Sequence, residues 1–441
     1  MLVSPSDASN RLDYCRLLSL SLALLGFSFQ FPCLAEENSQ GSEHSAELLK
    51  PVVQHHDLIE VDSTLTLSKL IDLTLEKYPD RHWLKALEEE AQAINQRSQS
   101  WIAGAPQIGL RDQEATSGTL HYIDATYQVP LWNLGQRDAE QRLGSEAEQS
   151  AEQQGLAVKL RVAGLVRVAL WDIALQKVRY EQALIDVEVT AQLLKNVLRR
   201  VELGDLPRAD GLLAESELLQ KRSVLTLAEA ELMHARKRYN SITKSTRMPA
   251  NFQEQCAALK EIQQNHPALL AINSQIERKQ AELDALKSMG AGQTHLTVGV
   301  DSDRGDNDPR SNQTESFNLG VNVPFGGSAH LAPHLAAVNV ELSHLMTERE
   351  LLYRNLEQAH HEAEHNLEVN RVELEITNKL KQVEEQHLAM TETAFAVGEI
   401  NLMDLLRIRS RTHQAVLTAK ERALILERDQ AFYNQAVGVM P

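Results

Sequence analysis

The amino-acid sequence predicts a mainly α-helical chain with a membrane β-barrel portion, built as a duplicated unit of long antiparallel coiled-coil helices plus two β-hairpins. Three observations predict this fold class: landmarks that recur at a fixed spacing, helical stretches too long for a globular domain, and strands with one apolar face. Aromatic residues make up 5% of the 441 residues and charged residues 24%, a composition typical of long helices. The net charge of −17 argues against a nucleic-acid partner.

Two motifs that recur at one spacing indicate the duplication. Residues 129–131, Val-Pro-Leu, recur as residues 323–325, Val-Pro-Phe, 194 positions later. Residues 204–206, Gly-Asp-Leu, recur as residues 398–400, Gly-Glu-Ile, at the same spacing. Two landmarks that share one offset indicate an internal repeat.

The repeat predicts the domain organisation. The first structural repeat covers residues 63–245, a linker covers 246–257, and the second structural repeat covers 258–441. Each repeat is predicted to contain a helix, a hairpin, a very long helix, a glycine turn and a returning helix. Tyr78-Pro79, near the start of the first helix, has a looser counterpart 188 positions later in His266-Pro267.

The first repeat is predicted to have helices over residues 65–101 and about 136–203. The second stretch contains no proline and would extend about 100 Å at the rise of an α-helix. Apolar residues in its second half alternate at spacings of four and three, the seam of a coiled coil: Tyr180, Leu184, Val187, Ala191, Leu194, Leu198 and Val201. Gly204 permits a tight turn there and Pro207 suits the start of an antiparallel helix. The second repeat has the same arrangement around Gly398.

The N-terminus is predicted to be a signal peptide over residues 1–35. Two arginines precede a short apolar run, which ends in small residues with cleavage after Ala35. Lipidation of Cys33 is an alternative. Residues 36–62 are then predicted to be a flexible acidic segment.

Alternating apolar and polar residues predict hairpins at residues 106–131 and 293–325. The apolar positions of one strand from each hairpin are Ile123, Ala125, Tyr127, Val129 and Leu131, and then Phe317, Leu319, Val321, Val323 and Phe325. Strands of a transmembrane barrel have such apolar outer and polar inner faces. The strands of one chain are too few to close a pore around water, so the pattern predicts an oligomer. Alternation alone is also compatible with a soluble periplasmic coiled-coil scaffold.

Taken together, the duplicated unit, the Val-Pro-Leu/Phe strand exits and the Gly-x5-Asp turns resemble the TolC family of outer-membrane factors. The resemblance covers about residues 60–440. Residues 165–172, LVRVALWD, and 201–206, VELGDL, are similar to its CzcC-like heavy-metal branch. The resemblance implies a homotrimer in the cell outer membrane, with a barrel in the lipid and an α-helical tunnel in the periplasm. It implies no enzymatic activity, no catalytic residue and no cofactor.

The resemblance also implies partners and functional residues. The chain would be the passive exit duct of a tripartite efflux system for heavy-metal cations, with a periplasmic adaptor (membrane fusion) protein and an inner-membrane pump of RND type. Drug efflux or type I protein secretion through the same duct is the alternative. The residues implied at the adaptor-docking turns are Gly204, Asp205, Gly398 and Glu399. Asp404 and its first-repeat equivalent Asp210 are the candidate periplasmic gate, and Arg407 stands where a second acid often follows in the family.

One motif favours a different function. Residues 361–365, His-Glu-Ala-Glu-His, fit the H-E-x-x-H pattern, which would make His361 and His365 zinc ligands and Glu362 the general base of a metalloprotease. Glu384 or Glu385 is the candidate third ligand in this interpretation. The motif lies inside a long predicted helix without pocket-forming segments around it, so the duct remains the preferred prediction.

Further histidines suggest transient binding of metal cations along the duct without catalysis. They are His55 and His56 in the acidic segment and His330, His334, His344, His360, His361 and His365 in the second repeat. Solvated helix faces account for the same residues, and no metal site is predicted.

Overall fold

The computed structural model describes residues 58–118, 120–305 and 313–441. The predicted signal peptide with Cys33, the histidines His55 and His56, and most of the flexible acidic segment lie outside the described residues.

The first half of the described chain forms these elements in order: β1 (Glu60–Asp62), α1 (Leu67–Lys77), α2 (Asp80–Gln99), β2 (Gln107–Glu114), β3 (His121–Leu131), α3 (Gln136–Glu202), α4 (Arg208–Thr243) and β4 (Arg247–Pro249). The second half forms α5 (Pro267–Met289), β5 (Thr294–Arg304), β6 (Gln313–Asn322), α6 (Ser328–Ala396) and α7 (Leu402–Ala436). The prediction of a mainly helical chain with a sheet is confirmed.

The stretch 65–101, predicted as one helix, is two helices. α1 ends at Lys77, Tyr78 is extended, and α2 begins directly after Pro79. A proline disfavours the helical conformation in the residue before it, so the helix breaks at Tyr78. The single-helix prediction was therefore wrong at this point.

The longest elements are α3 with 67 residues and α6 with 69. At 1.5 Å per residue each extends about 100 Å. α3 packs along α4, α6 packs along α7, and these two helical hairpins meet where α3 contacts α7. In the described part of the chain, no helix is both long enough and apolar enough to span a membrane.

The main apolar core lies where α1 packs on α3 and α4. Leu70, Ile71, Val162, Val166 and Tyr239 are almost fully buried there. Burial of aliphatic side chains of this size stabilises the fold by about 1.5–3 kcal/mol each. Burial also raises the pKa of Tyr239, and its hydroxyl donates a hydrogen bond to a backbone carbonyl of β4.

β1 pairs in parallel with β4, with Glu60 opposite Arg247. β1 falls at the end of the segment predicted to be flexible, and β4 falls in the predicted linker. Both segments are thus partly strand. Their apolar side chains are few, and the pairing could be recognised only from contacts between residues far apart in the sequence.

A buried ion pair fixes the rest of the linker. Arg167 of α3 is 1% exposed and donates two hydrogen bonds of 2.7 Å to the carboxylate of Glu254. The same guanidinium donates to the carbonyl of Val439, near the end of the chain. Arg167 therefore holds the linker and the C-terminal segment on α3. A bidentate pair with further hydrogen bonds is the arrangement in which a buried charge is tolerated.

The hairpin strands form one antiparallel sheet in the order β2–β3–β5–β6. The two hairpins are joined through β3 and β5. Within one chain the sheet is therefore open, with β2 and β6 as its edges.

The register places the predicted apolar residues on one face of this sheet. One row across the strands consists of Ile108, Tyr127, Val298 and Leu319, and the next row toward the loops consists of Leu110, Ala125, Val300 and Phe317. Phe317 and Leu319 are 69% and 66% exposed. The predicted alternation is confirmed, and the apolar face is open to its surroundings.

The opposite face of the sheet is polar. Asp124 and Asp301 lie directly opposite each other in the β3–β5 register. Asn318 donates a hydrogen bond of 2.9 Å to Asp301. Thr126 lies on the same face, in the row of strand residues that contains Asn318. This face suits contact with water.

Candidate functional site

The two glycine turns have the same backbone hydrogen bonds. In the first, the amides of Gly204 and Asp205 donate to the carbonyls of Val201 and Arg200, at 3.0 and 2.9 Å. In the second, the amides of Gly398 and Glu399 donate to the carbonyls of Phe395 and Ala394, at 3.1 and 2.9 Å. These acceptors lie 194 positions after those of the first turn. This pair of bonds is the Schellman motif, which satisfies the last carbonyls of a helix.

Each turn requires glycine for a conformational reason. Gly204 has φ +79° and Gly398 has φ +82°, both in the left-handed region. A Cβ at either position would meet no atom within 4 Å. Backbone strain, rather than a steric contact, is therefore what disfavours another residue there.

The candidate gate residues follow the turns at matching positions. Asp404 lies in the first turn of α7, and Asn401 caps this helix by accepting a hydrogen bond of 2.8 Å from the Asp404 amide. Asp210 lies at the same position of α4, where Pro207 precedes the helix. Both carboxylates are favoured by the helix dipole. Sequence reasoning missed the Asn401 cap, although an asparagine just before an apolar helical run is a usual cap signal.

The surroundings of Asp404 are not purely acidic. Its side chain is exposed and lines an open groove of about 530 Å³ together with Arg407 and Arg411. Arg411 is also paired at 2.7 Å with the buried carboxylate of Glu384. Among the described residues, no hydrogen bond or ion pair holds the Asp404 carboxylate, so it faces the groove with two cationic side chains beside it.

Arg200 connects the two turns, which sequence reasoning did not predict. Its guanidinium donates to the carboxylate of Asp205 at 2.6 Å and to the carbonyl of Phe395 at 3.2 Å. The same group lies 4.9 Å from the centre of the Phe395 ring. The end of α6 is thus held by a side chain from the end of α3, through charge, a hydrogen bond and a cation–π contact.

An apolar cluster supports this connection. It contains residues from both helical hairpins: Leu193, Val197, Ala214, Phe395, Leu402 and Leu405. The ends of the two hairpins therefore pack as one unit around the turns.

Farther from the turns, a contact between a histidine and a carboxylate joins the hairpins again. Nδ1 of His413 in α7 lies 3.0 Å from the carboxylate of Asp186 in α3. Burial acts to raise the pKa of Asp186, but the close contact with His413, the hydrogen bond from Gln182 and the charge of Lys221 outweigh it. The pKa of Asp186 is consequently lowered.

The H-E-x-x-H residues do not form a site. His361, Glu362 and His365 are exposed on α6. Glu384 and Glu385 lie on the same helix, about 30 Å farther along at the helical rise, so neither is placed to be a third ligand. Across the described ranges, no group of three or more His, Cys, Asp or Glu side chains is arranged to hold a metal ion.

The other histidines of α6 are also dispersed. His330, His334 and His344 are exposed and spread along the helix. His360 is buried and its Nε2 lies 3.2 Å from the hydroxyl of Tyr433, a contact within the α6–α7 packing. The histidines that are consecutive in sequence therefore have different surroundings.

Protein-family models give no match to this sequence, and the curated proteins give none either. Solved structures do match. CusC, studied for folding and transmembrane channel formation, has a TM-score of 0.68 over 88% of this chain and 96% of its own, with 13% identity. The MtrE outer membrane channel of Neisseria gonorrhoeae has a TM-score of 0.66 over 88% and 94%, with 13% identity.

The outer membrane protein VceC of Vibrio cholerae also has a TM-score of 0.66, over 85% of this chain and 96% of its own, with 12% identity. The agreement extends over nearly the whole of each of these proteins, including both the helices and the sheet region. This chain therefore has a fold shared with outer-membrane channels.

Proposed function

We propose that this protein is an outer-membrane channel that serves as the passive exit duct of a tripartite efflux system. The observation that carries the proposal is the sheet whose exposed apolar rows continue across all its strands, joined to helices about 100 Å long. An apolar outer face suits lipid and a polar inner face suits a water-filled passage. The fold shared with outer-membrane channels supports this interpretation.

The duct is proposed to be a homotrimer. One chain has an open sheet with β2 and β6 as unpaired edges, and exposed edges favour pairing with another chain. Three copies that pair edge to edge would close a barrel in the outer membrane. Their helical hairpins would then form the tunnel in the periplasm.

The narrow end of the tunnel is proposed to lie at the turns, with Asp404 as its gate residue and Asp210 as the equivalent of the first repeat. Symmetry-related carboxylates at a narrow opening attract cations and repel one another. Arg407 and Arg411 on the same groove reduce that repulsion. The gate is thus proposed as one acidic ring balanced by basic side chains.

The turns themselves are proposed to dock onto a periplasmic adaptor protein, through Gly204, Asp205, Gly398 and Glu399. The adaptor would connect the duct to an inner-membrane pump of RND type. Energy for transport would come from that pump, and the duct itself would catalyse no reaction.

The cargo is proposed to be heavy-metal cations, on the similarity of residues 165–172 and 201–206 to the heavy-metal branch. A deletion strain should become sensitive to zinc, cobalt, nickel, cadmium, copper or silver, and a plasmid copy should restore growth. Sensitivity confined to drugs would instead assign drug efflux, and loss of a secreted polypeptide would assign type I secretion.

The gate is tested in the same strain. Asp404→Asn should lower metal tolerance, because the acidic ring loses its charge, while wild-type amounts of protein reach the membrane. Asp138→Asn is the matched control and should leave metal tolerance unchanged, because it removes an acid from the first turn of α3, at the end of that helix far from the glycine turns. Equal tolerance in wild type and Asp404→Asn would remove the gate role.

Release of the protein from membranes by salt, without detergent, would favour the soluble scaffold over the duct.

A further inference from the structure

The segments that join the sheet to the helices contain no charged residue. They are residues 100–106, 132–135, 290–293 and 323–327, and none contains Asp, Glu, Lys or Arg although these make up 24% of the chain. Charged side chains return immediately afterwards, as Arg137 and Asp138 at the start of α3. A charge-free zone therefore separates the sheet from the charged helices.

Three of these junctions expose a large apolar side chain. Leu134 is fully exposed, Phe325 is 94% exposed and Trp101 is 74% exposed. Phe325 continues the period-two spacing of Val321 and Val323 on the apolar face of the sheet. The exposed apolar surface of the sheet thus extends past its last paired residues into the junctions.

Three of the junctions, residues 100–106, 132–135 and 290–293, are connected by hydrogen bonds from side chains to backbone carbonyls. The indole nitrogen of Trp132 donates a hydrogen bond of 3.0 Å to the carbonyl of Ser100. The side chain of Asn133 donates to the carbonyls of Met289 and Gly292, at 2.9 Å each. Trp101 and Leu134 therefore project from segments that are bound to one another rather than from free loops.

We propose that these junctions form a collar in the headgroup region of the membrane leaflet nearest the helices, with Trp101, Leu134 and Phe325 in contact with lipid. The proposal rests on the proposed function, which places the sheet in the membrane. Lipid is the occupant because the collar continues the apolar rows of the sheet and carries no charge. Tryptophan favours this depth because its ring is apolar while its N–H can reach water or headgroups.

The test measures quenching of tryptophan fluorescence by lipid in the full-length protein. The protein is reconstituted into phosphatidylcholine vesicles brominated on the acyl chain near the headgroups. Trp101→Phe should remove a large part of the quenching that wild type shows. Trp83→Phe is the matched control and should leave the quenching unchanged, because Trp83 lies on α2 away from the junctions.

A second variant separates failure of the collar from failure of the membrane sheet. Phe317→Trp places a reporter on the apolar face of the sheet and should add quenching by bromines deep in the acyl chains. If Phe317→Trp gains that quenching while Trp101→Phe loses none, the sheet lies in lipid and the collar proposal is overturned. If neither position responds to lipid, both the collar proposal and the proposed function fail. Shielding of Trp101 from both lipid and acrylamide would assign the collar to contacts between copies and also overturn the proposal.

Discussion

At the scale of single residues, Arg200 connects the glycine turn of the first repeat to that of the second. The two turns are equivalent in the repeat, but the repeat alone does not predict a contact between them. The position 194 residues later is Ala394, so the second repeat has no matching side chain. The connection is one-sided: the first helical hairpin holds the second, at the carbonyl and ring of Phe395.

Replacing this arginine should loosen the ends of the hairpins. Arg200→Met removes the ion pair and the cation–π contact, together about 1–2 kcal/mol at a partly exposed site. Spin labels on cysteines introduced at the exposed positions Leu203 and Val397 should then show a broader distance distribution. Arg199→Met, which removes the same charge from the neighbouring exposed position, should leave the distribution unchanged. An equal effect of both substitutions would contradict the role of Arg200.

The contact of Asp186 with His413 predicts a dependence on pH. A carboxylate with a lowered pKa stabilises the fold above its unfolded pKa of about 3.9, and this stability is lost as the pH falls through the lower folded value. The midpoint temperature of thermal unfolding should therefore fall between pH 5 and pH 3, and it should fall by more in wild type than in Asp186→Asn. Parallel pH curves for the two proteins would show that the contact adds no stability.

At the scale of elements, the glycines of the turns and of the long helices have opposite requirements. Gly398→Ala forces an L-residue into a left-handed conformation and should destabilise the turn by about 1–2 kcal/mol. Gly155→Ala in α3 is the matched control, because a Cβ there also meets nothing within 4 Å and alanine favours the helix by about 1 kcal/mol. The midpoint of thermal unfolding should fall for the first variant and rise for the second. Two shifts of the same sign would contradict the assigned backbone conformations.

The sequence predicted those elements whose signal is local. The faces of the strands follow from the alternation around Phe317, and α3 follows from a long stretch without proline. The turns follow from glycine at two positions with one offset. Each pattern reflects a periodicity of the backbone itself, which is present before any tertiary contact forms.

The features that sequence reasoning missed depend on residues far apart in the chain. The pairing of Glu60 with Arg247 and the contact of Arg200 with Phe395 leave no periodic signal. The break at Tyr78 is the exception, because the proline beside it was a local signal. The sequence has a helical pattern on both sides of Tyr78, so the two helices were predicted as one.

At the scale of the whole molecule, the β3–β5 pairing provides a model for how one copy would meet the next. Tyr127 lies opposite Val298 where the first repeat meets the second. Ile108 lies opposite Tyr127 in the first hairpin, and Leu296 lies opposite Val321 in the second. Val321 is therefore the equivalent of Tyr127. Two residues along the partner strands, Leu110 is the equivalent of Val298. A quasi-equivalent junction between copies therefore sets Val321 of β6 opposite Leu110 of β2.

This register can be tested by cross-linking. Cysteines introduced together at Val321 and Leu110 should join neighbouring copies into covalent dimers and trimers under oxidation. The pair Val321 and Ile108 is shifted by two residues and should cross-link far less, since directly opposite residues are the ones within disulfide reach. Efficient cross-linking of the shifted pair alone would show that the two junctions follow different registers.

The short parallel pairing of β1 with β4 also has a consequence for the order in which the chain acquires its structure. Closing a loop costs conformational entropy that grows with its length, and 187 positions separate Glu60 from its partner Arg247. We therefore expect β1 and β4 to pair only after the helices and the hairpin between them have folded and brought the two strands close together. Contacts that form after the transition state slow unfolding and leave the folding rate almost unchanged. The pairing of β1 with β4 should accordingly act as a clasp that delays the unfolding of the first repeat.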